Sequence, residues 1–371
     1  MKIAYEAPLF PRVGGGPQHF IGLSEALNRA GAHITHVLPS PSGVESTTTI
    51  FETVGIRAIG GRFLRQVSYE CSRILLLLRW ALTGRRFDVW MARHSILGVG
   101  LGLARLVADQ VILEVNGPAK EEMQANFGSR PMAALVDWLF RIQIRSAHIV
   151  VAVSPGLARY VTSKVPDARC AVVPNGAFPS LATSLQPTRT VDTQLVFAGV
   201  LAPWYEMDVV LQAMSKLRDD GLDTTLLLFG DGVNLENLRR QAHHLGISDL
   251  IEFAGWVSRD VVHSGIKRAQ VGLLPLTTKL EGLEAVGSPL KLYEYVAAGL
   301  KVVGTSIDGV TNSPVRDAVH AYIPGSAESC ASAIKAALES AAPTIGEETW
   351  SWNARAQLIL RLLATESWDI E

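Results

Sequence analysis

The sequence predicts a two-domain α/β protein with parallel, doubly wound sheets, and three observations carry that prediction. Short apolar runs alternate with longer amphipathic stretches along most of the chain. A strand buried on both faces reads as a continuous apolar run, and alternation with helices sets such strands side by side in a parallel sheet. The rhythm then lapses into a polar stretch at 178–192, which carries Pro179 and Pro187, and restarts at 193. The length of 371 residues fits two domains at roughly 150 residues each.

In the first half the runs KIAYEAP, AHITHVLP, DVWMA, QVILEV, HIVVAVS and CAVVP are the expected strands, with helical segments between most of them. In the second half they are TQLVFAGVL, TTLLLFGDG, LIEFAGWV, QVGLLPL and KVVGTS. The segment ETWSWNARAQLILRLLATE near the end is amphipathic at helical spacing. The expected organisation is therefore a Rossmann-like domain over 1–178, a linker over 179–192, a second Rossmann-like domain over 193–345 and a C-terminal helical segment over 346–371. No repeat of solenoid period and no low-complexity tract interrupts it. Two such domains facing each other place a cleft at the carboxyl ends of the strands, where open α/β sheets bind ligands.

Composition narrows the function. Hydrophobic residues make up 48% of the chain and charged residues 19%, enough apolar material for two cores. No apolar run approaches the ~20 residues of a membrane span. The opening MKIAYEAPLFPRVGGG lacks the apolar stretch of a secretory signal, so a soluble, cytoplasmic protein is expected. Cys71, Cys170 and Cys330 are too few and too far apart for a disulfide framework or a zinc cluster. The net charge of −1 excludes a strongly basic nucleic-acid binder. That charge is unevenly divided: residues 1–178 hold 19 basic and 12 acidic residues, the remainder 15 and 23. Opposite charges on the two halves fit domains with different partners.

Two segments carry candidate chemistry. Gly14, Gly15 and Gly16 stand between the first strand and an amphipathic helix, where glycine lets backbone approach a ligand and a helix N-terminus favours an anion. The spacing is not that of a dinucleotide fingerprint, because His19 stands in place of the third glycine and no acidic residue follows a second strand. In the second half, Gly287 and Ser288 precede Pro289, a residue suited to a first helical turn. The free N–H groups there form an anion site, with Lys291 adding a positive charge and Glu294, about one turn on, able to accept hydrogen bonds from sugar hydroxyls. Anion site, cation and hydroxyl acceptor in one short helix are what a nucleoside diphosphate needs.

These segments, in this order, resemble the retaining family 4 (group 1) glycosyltransferases of GT-B architecture. The resemblance spans nearly the whole chain. It takes in the glycine loop at 14–16, VVPNG at 172–176, FAG at 197–199, LFGDG at 228–232, EFAGWV at 252–257, LLP at 273–275 and SPLKLYEY at 288–295. It closes with TWSWNARA at 349–356, which looks like the helix that crosses back onto the first domain. The resemblance implies a nucleotide-diphosphate sugar as donor, with no further cofactor and no metal. Gly287, Ser288, Pro289 and Leu290 would present backbone to the diphosphate, Lys291 would neutralise it, and Glu294 would hold the ribose. Gly199 and the base-seating stretch with Trp256 and Val257 complete the donor side. The loop of Gly14, Gly15 and Gly16 would close over phosphate and acceptor. The acceptor would be a hydroxyl of a glycan or lipid-linked intermediate of cell-surface polysaccharide, with His94 and Glu121 as candidate acceptor contacts.

Three positions depart from the family pattern. A first Glu expected eight residues before Glu294 is Val286, with Glu281 and Glu284 nearby. A basic pair expected after the FAG strand is replaced by Val200 and Tyr205. The active-site His after the fourth strand of the first half is replaced by Asn116, which can hydrogen-bond a sugar hydroxyl but cannot act as a base. The resemblance therefore implies a catalytic set of Asn116, Lys291 and Glu294, in which the leaving phosphate takes the acceptor's proton. Two other activities compete: a nucleotide-sugar epimerase on the same architecture, and a non-catalytic nucleotide- or partner-binding member.

Between 57 and 86 lie seven arginines (Arg57, Arg62, Arg65, Arg73, Arg79, Arg85 and Arg86) and a single acid, Glu70, among Phe63, Leu64, a run of four leucines and Trp80. A basic amphipathic helix of this kind can lie on an anionic membrane, here its inner face, and can equally pack on a sheet with a solvated basic side.

Overall fold

A computed structural model of the protein describes residues 1–8, 15–40, 51–118, 130–178, 194–278 and 288–365. The chain divides into two compact units, Met1–Asn175 with Trp352–Glu371, and Gly176–Ser351. The expected linker at 179–192 lies outside the described residues.

The first unit holds β1 (Lys2–Glu6), β2 (His33–Ser40), β3 (Glu52–Arg57), β4 (Phe87–Arg93), β5 (Ala108–Val115), β6 (Ile149–Ala152) and β7 (Cys170–Val172). All described pairings are parallel, in the order β3-β2-β1-β4-β5-β6-β7. The chain runs outward from β1 to β3 and returns to β4 beside β1, so the switch point lies at the carboxyl ends of β1 and β4. β3 was not among the expected strands. It is an edge strand with only Ile56 fully buried, so its sequence shows no continuous apolar run.

Among the described residues, α1 (Gly15–Arg29), α2 (Arg62–Thr83), α3 (Arg130–Ser146) and α4 (Pro155–Lys164) accompany this sheet. α4 starts by rule, with Ser154 accepting from the Leu157 N–H and Pro155 at its first position.

The interior of the first unit overturns one expectation about 57–86. Arg73 does not belong to a solvated basic face: it is 2% exposed and paired with Glu6 at 3.1 Å and with Glu70 at 2.6 Å. Glu6, at the end of β1, also accepts from Tyr69 Oη and Trp90 Nε1, both at 2.9 Å, while the Gly100 N–H donates to Glu70 at 2.6 Å. Burying three charges is tolerable because Arg73 is met by both carboxylates and each carboxylate also accepts from neutral donors. Arg85 and Arg86 are likewise paired, with Glu52 and Asp109.

The second unit repeats the design with β8 (Leu195–Ala198), β9 (Leu226–Phe229), β10 (Ile251–Gly255), β11 (Val271–Leu274), β12 (Lys301–Thr305) and β13 (Val319–Tyr322), ordered β10-β9-β8-β11-β12-β13. Its switch point falls between β8 and β11. β13, another edge strand with a half-exposed pattern, was also not among the expected strands. Helices α5 (Met207–Asp219), α6 (Leu235–His244), α7 (Arg259–Arg268), α8 (Leu290–Ala297), the short α9 (Asp308–Thr311) and α10 (Ala327–Glu339) cover the sheet. Leu195 and Phe197 of β8 join a core with α5, α6 and α10, whereas Val196 joins a second core with α7 and α8. The strand's alternation thus feeds two apolar layers, which is why it reads as unbroken apolar sequence.

The boundaries differ from those expected at two points, the first being that residues 176–178 fall in the second unit. Residues 346–351 belong to the second unit, because Trp350 is buried in its core and the Trp350 carbonyl accepts from the Ala177 N–H at 2.8 Å. Only from Trp352 does the chain join the first unit, as α11 (Trp352–Ala364), which packs along α1. The join is tight: a Cβ on Gly22 of α1 would come within 2.4 Å of the Trp352 indole. Among the described residues no helix is long and apolar enough to cross a membrane.

Candidate functional site

In the second unit the candidate residues gather around the carboxyl end of β8. Pro289 is the N-cap of α8 rather than a residue inside its first turn, at φ −67°, and Lys291 lies in that turn. Ser288 is buried and its hydroxyl donates to Tyr293 Oη at 3.1 Å, fixing the entry into the helix. The Lys291 side chain lies across Gly199, where a Cβ would stand 2.4 Å from its Cε. Its ammonium donates to Tyr205 Oη at 2.8 Å and sits over the rings of Tyr205 at 4.9 Å and Phe197 at 5.6 Å.

Glu294 is largely enclosed, and Arg259 of α7 approaches it to 3.9 Å. Burial raises its carboxyl above the ordinary value, with Arg259 and Lys291 opposing. Trp256, just past β10, is 64% exposed, and Val257 is half-buried. Val200, where the resemblance places a cation, is exposed beyond the end of β8. Tyr205 and Arg259 are the participants that sequence reasoning missed. Tyr205 was named only as a departure, and Arg259 carried no signal beyond lying two residues past Val257.

The candidates of the first unit meet a different environment. Gly15 and Gly16 are not loop but the opening turn of α1, and Gly14 lies outside the described residues. Behind that turn is a buried polar cluster centred on Glu114, near the end of β5. Tyr5 Oη donates to Glu114 at 2.5 Å, Asn116 Nδ2 donates to its other oxygen, and His19 Nε2 lies 2.7 Å from that second oxygen. Arg93 lies 3.7 Å from the same carboxylate and donates to the Gly16 carbonyl at 3.0 Å. His19 Nδ1 meets Asn175 Oδ1, and Arg355 donates to the Asn175 carbonyl at 3.1 Å. Burial alone would raise the Glu114 carboxyl, yet His19, Arg93 and Tyr5 together hold it well below the ordinary range.

Asn116 therefore stands beside an imidazole, that of His19, on a shared carboxylate. His94 is half-buried, its backbone N–H bonded to the Glu114 carbonyl at 2.9 Å and its ring edge-on to Phe140. His19, Glu114 and Arg93 were missed as a group, although an acid inside the apolar run QVILEV was a visible signal. Glu121, Glu281, Glu284 and Gly287 lie outside the described residues. Among the described residues no three His, Cys, Asp or Glu side chains are placed to hold a metal ion.

Comparison with solved structures matches this arrangement over nearly the full chain. Sucrose-phosphate synthase from Thermosynechococcus elongatus gives a TM-score of 0.71 at 16% identity, covering 98% of each chain. Anabaena Alr3699/HepE in complex with UDP and glucose gives 0.68 at 16% identity, covering 98% of this chain and 99% of the other. At these identities the likeness carries the fold, and two parallel α/β units of this kind are the GT-B architecture. The model of Glycosyltransferase Family 4 matches residues 13–180, and that of the Glycosyl transferases group 1 matches residues 192–340. The chain belongs to the group 1, family 4 glycosyltransferases.

Among curated relatives, a GDP-mannose-dependent alpha-(1-6)-phosphatidylinositol monomannoside mannosyltransferase of Mycolicibacterium smegmatis is 27% identical over 180 residues, 44% of this chain and 46% of that one. A 2-deoxystreptamine glucosyltransferase of Streptomyces kanamyceticus is 27% identical over 151 residues, 41% of this chain and 38% of that one. The matches thus span less than half the length of these relatives.

Proposed function

We propose that the protein is a retaining glycosyltransferase that moves a hexose, mannose or glucose, from a nucleotide-diphosphate sugar to a hydroxyl of a glycan or lipid-linked acceptor. The observation that carries the reading is Lys291, whose ammonium meets no carboxylate among the described residues and lies beside the start of α8, with Glu294 one turn on. In the reaction the bond from the anomeric carbon to the phosphate oxygen breaks, the acceptor oxygen bonds to that carbon on the same face, and its proton passes to the departing phosphate. The protein contributes position and charge stabilisation of the leaving diphosphate, and no metal is required.

Thermal unfolding against ADP, UDP, GDP and dTDP tests the donor. A ligand at 100 times its dissociation constant adds ~2.7 kcal/mol, and the shift should vanish in Lys291→Ala. No shift with any of them would overturn the reading. With the donor known, proton NMR of the product shows whether the anomeric configuration is kept.

The mannosyltransferase relative is named for a phosphatidylinositol mannoside acceptor, and α2 supports peripheral attachment to an anionic membrane face on the cytoplasmic side. Leu64, Leu75, Leu78 and Leu82 form an outward stripe, Leu82 being 89% exposed, with Arg65 and Arg79 exposed beside them. Trp138 and Leu135 of α3 are exposed as well. Apolar residues flanked by arginines and free of acids on that stripe suit insertion among anionic headgroups. Sedimentation with phosphatidylglycerol vesicles should carry the protein down, and Leu75→Glu with Leu82→Glu should abolish it. No binding to such vesicles at physiological salt would end this part of the proposal.

A further inference from the structure

Tyr205 stands where the resemblance calls for a cation, and its environment shows what the replacement does. The ring packs edge-on against Phe197 at 5.0 Å and forms a wall of a cavity of about 250 Å³ that also touches Leu201, Asp208, Asn234 and Thr277. The loop that carries it is pinned, with Tyr205 bridged to Leu276 and the Thr277 N–H bonded to the Trp204 carbonyl at 2.9 Å. A phenol has one proton to give and two lone pairs to receive with. The Lys291 ammonium occupies a lone pair, and among the described residues the phenol's own proton meets no acceptor. The ammonium keeps two further N–H groups. Its stem is confined by Gly199 beneath and by the faces of Phe197 and Tyr205.

We infer that Tyr205 is a diphosphate-binding residue of this chain: it tethers Lys291 and donates its hydroxyl proton to a phosphate oxygen, so that one cation and one neutral donor replace a group of cations. The inference rests on the nucleotide-sugar reading above and names a contact within that site. Neutral donors suit a leaving group whose charge grows only as the glycosidic bond breaks, because they stabilise it without the mutual repulsion of adjacent cations. The tether matters as well, since a free lysine side chain loses rotamer entropy when it is ordered on a ligand.

Calorimetric titration of the full chain with UDP, GDP, ADP and dTDP, each beside its own nucleoside, tests the inference. Tyr205→Phe keeps the ring on Phe197 and removes only the hydroxyl. It should weaken the binding nucleoside diphosphate about tenfold or more, the loss of a hydrogen bond to a charged group, and leave nucleoside binding unchanged. Tyr205→Lys restores a cation and should recover diphosphate affinity, with a steeper loss of affinity in 0.5 M salt than the unaltered protein. Gly199→Ala, which displaces the lysine, should resemble Tyr205→Phe. Equal diphosphate affinity in Tyr205→Phe and the unaltered protein, or equal weakening of diphosphate and nucleoside, overturns the inference while leaving the glycosyltransferase reading intact. Failure of the unaltered protein to bind any of the four diphosphates overturns both.

Discussion

At the end of β5 in the first unit, Glu114 is enclosed by Tyr5, His19 and Asn116, with Arg93 within 4 Å, and is 1% exposed. Beyond the end of β8 in the second unit, Lys291 is half-buried and leans on a neutral phenol, while Glu294 and Arg259 stop 3.9 Å apart. Both stand near a switch point of a parallel sheet. In the first unit the charges are spent on one another and on the Gly16 carbonyl, so they shape the opening turn of α1. In the second the positive charge is held in place but left unspent. A strand-end cluster that neutralises itself is scaffold, and one that does not is the better candidate for contact with an anionic ligand.

Removing Glu114 should break that comparison most visibly if it is wrong. Glu114→Ala strands Arg93 without its counter-charge and takes a partner from His19, Tyr5 and Asn116, and should cost about 3–5 kcal/mol of stability, read from urea unfolding. Lys291→Ala should cost under ~1 kcal/mol while abolishing the diphosphate-induced shift. Similar stability losses in the two variants would erase the distinction between scaffold and site.

The acid response sharpens the same contrast. Burial pulls the His36 imidazole from 6.5 down to about 4. Between those values the folded protein binds fewer protons than the unfolded chain, so stability is full above pH 6.5 and declines by up to roughly 3 kcal/mol as pH falls to 4. The lowered Glu114 carboxyl adds stability above its ordinary value of 4.5, lost as pH falls below it. Denaturant midpoints measured against pH should therefore fall in two stages. His36→Gln should flatten the upper stage, and Glu114→Gln the lower. An unchanged slope in either variant would show that the acid sensitivity originates elsewhere.

The smallest effect belongs to the solvent-facing pairs. Arg85 and Glu52 meet at 2.6 Å with side chains 35% and 55% exposed, and Arg85 also lies 4.6 Å from the Trp80 ring. Arg85→Ala should change stability by no more than about 1 kcal/mol, less in high salt. A cost near that of Glu114→Ala would mean that burial is not what separates these pairs.

Much of the fold was legible because it is written locally. Residues 89–92 and Leu226–Phe229 are buried on both faces and read as unbroken apolar runs. Glu52–Arg57 and Val319–Tyr322 were not, since an edge strand half in solvent needs no such run. The helix at 290–297 was legible for the same local reason: proline, lysine and glutamate fall within two turns of chain. Its partners were not, because Tyr205 stands 86 residues from Lys291, and Arg259 reaches Glu294 from another helix. The arginines of 57–86 show the limit of composition. Counting them cannot reveal that Arg73 turns inward onto Glu6 while Leu75, Leu78 and Leu82 turn outward.

The order in which the chain is made gives α11 a further meaning. The first unit takes its last helix from residues synthesised after the whole of the second, and that helix supplies Trp352 against Gly22 and Arg355 onto Asn175. During vectorial synthesis the second unit can close as soon as it clears the ribosome, whereas its predecessor waits with α1 uncovered. The part made first is thus finished last, and a chain clipped shortly before residue 352 would leave the earlier unit exposed to chaperones and proteases while sparing the later one.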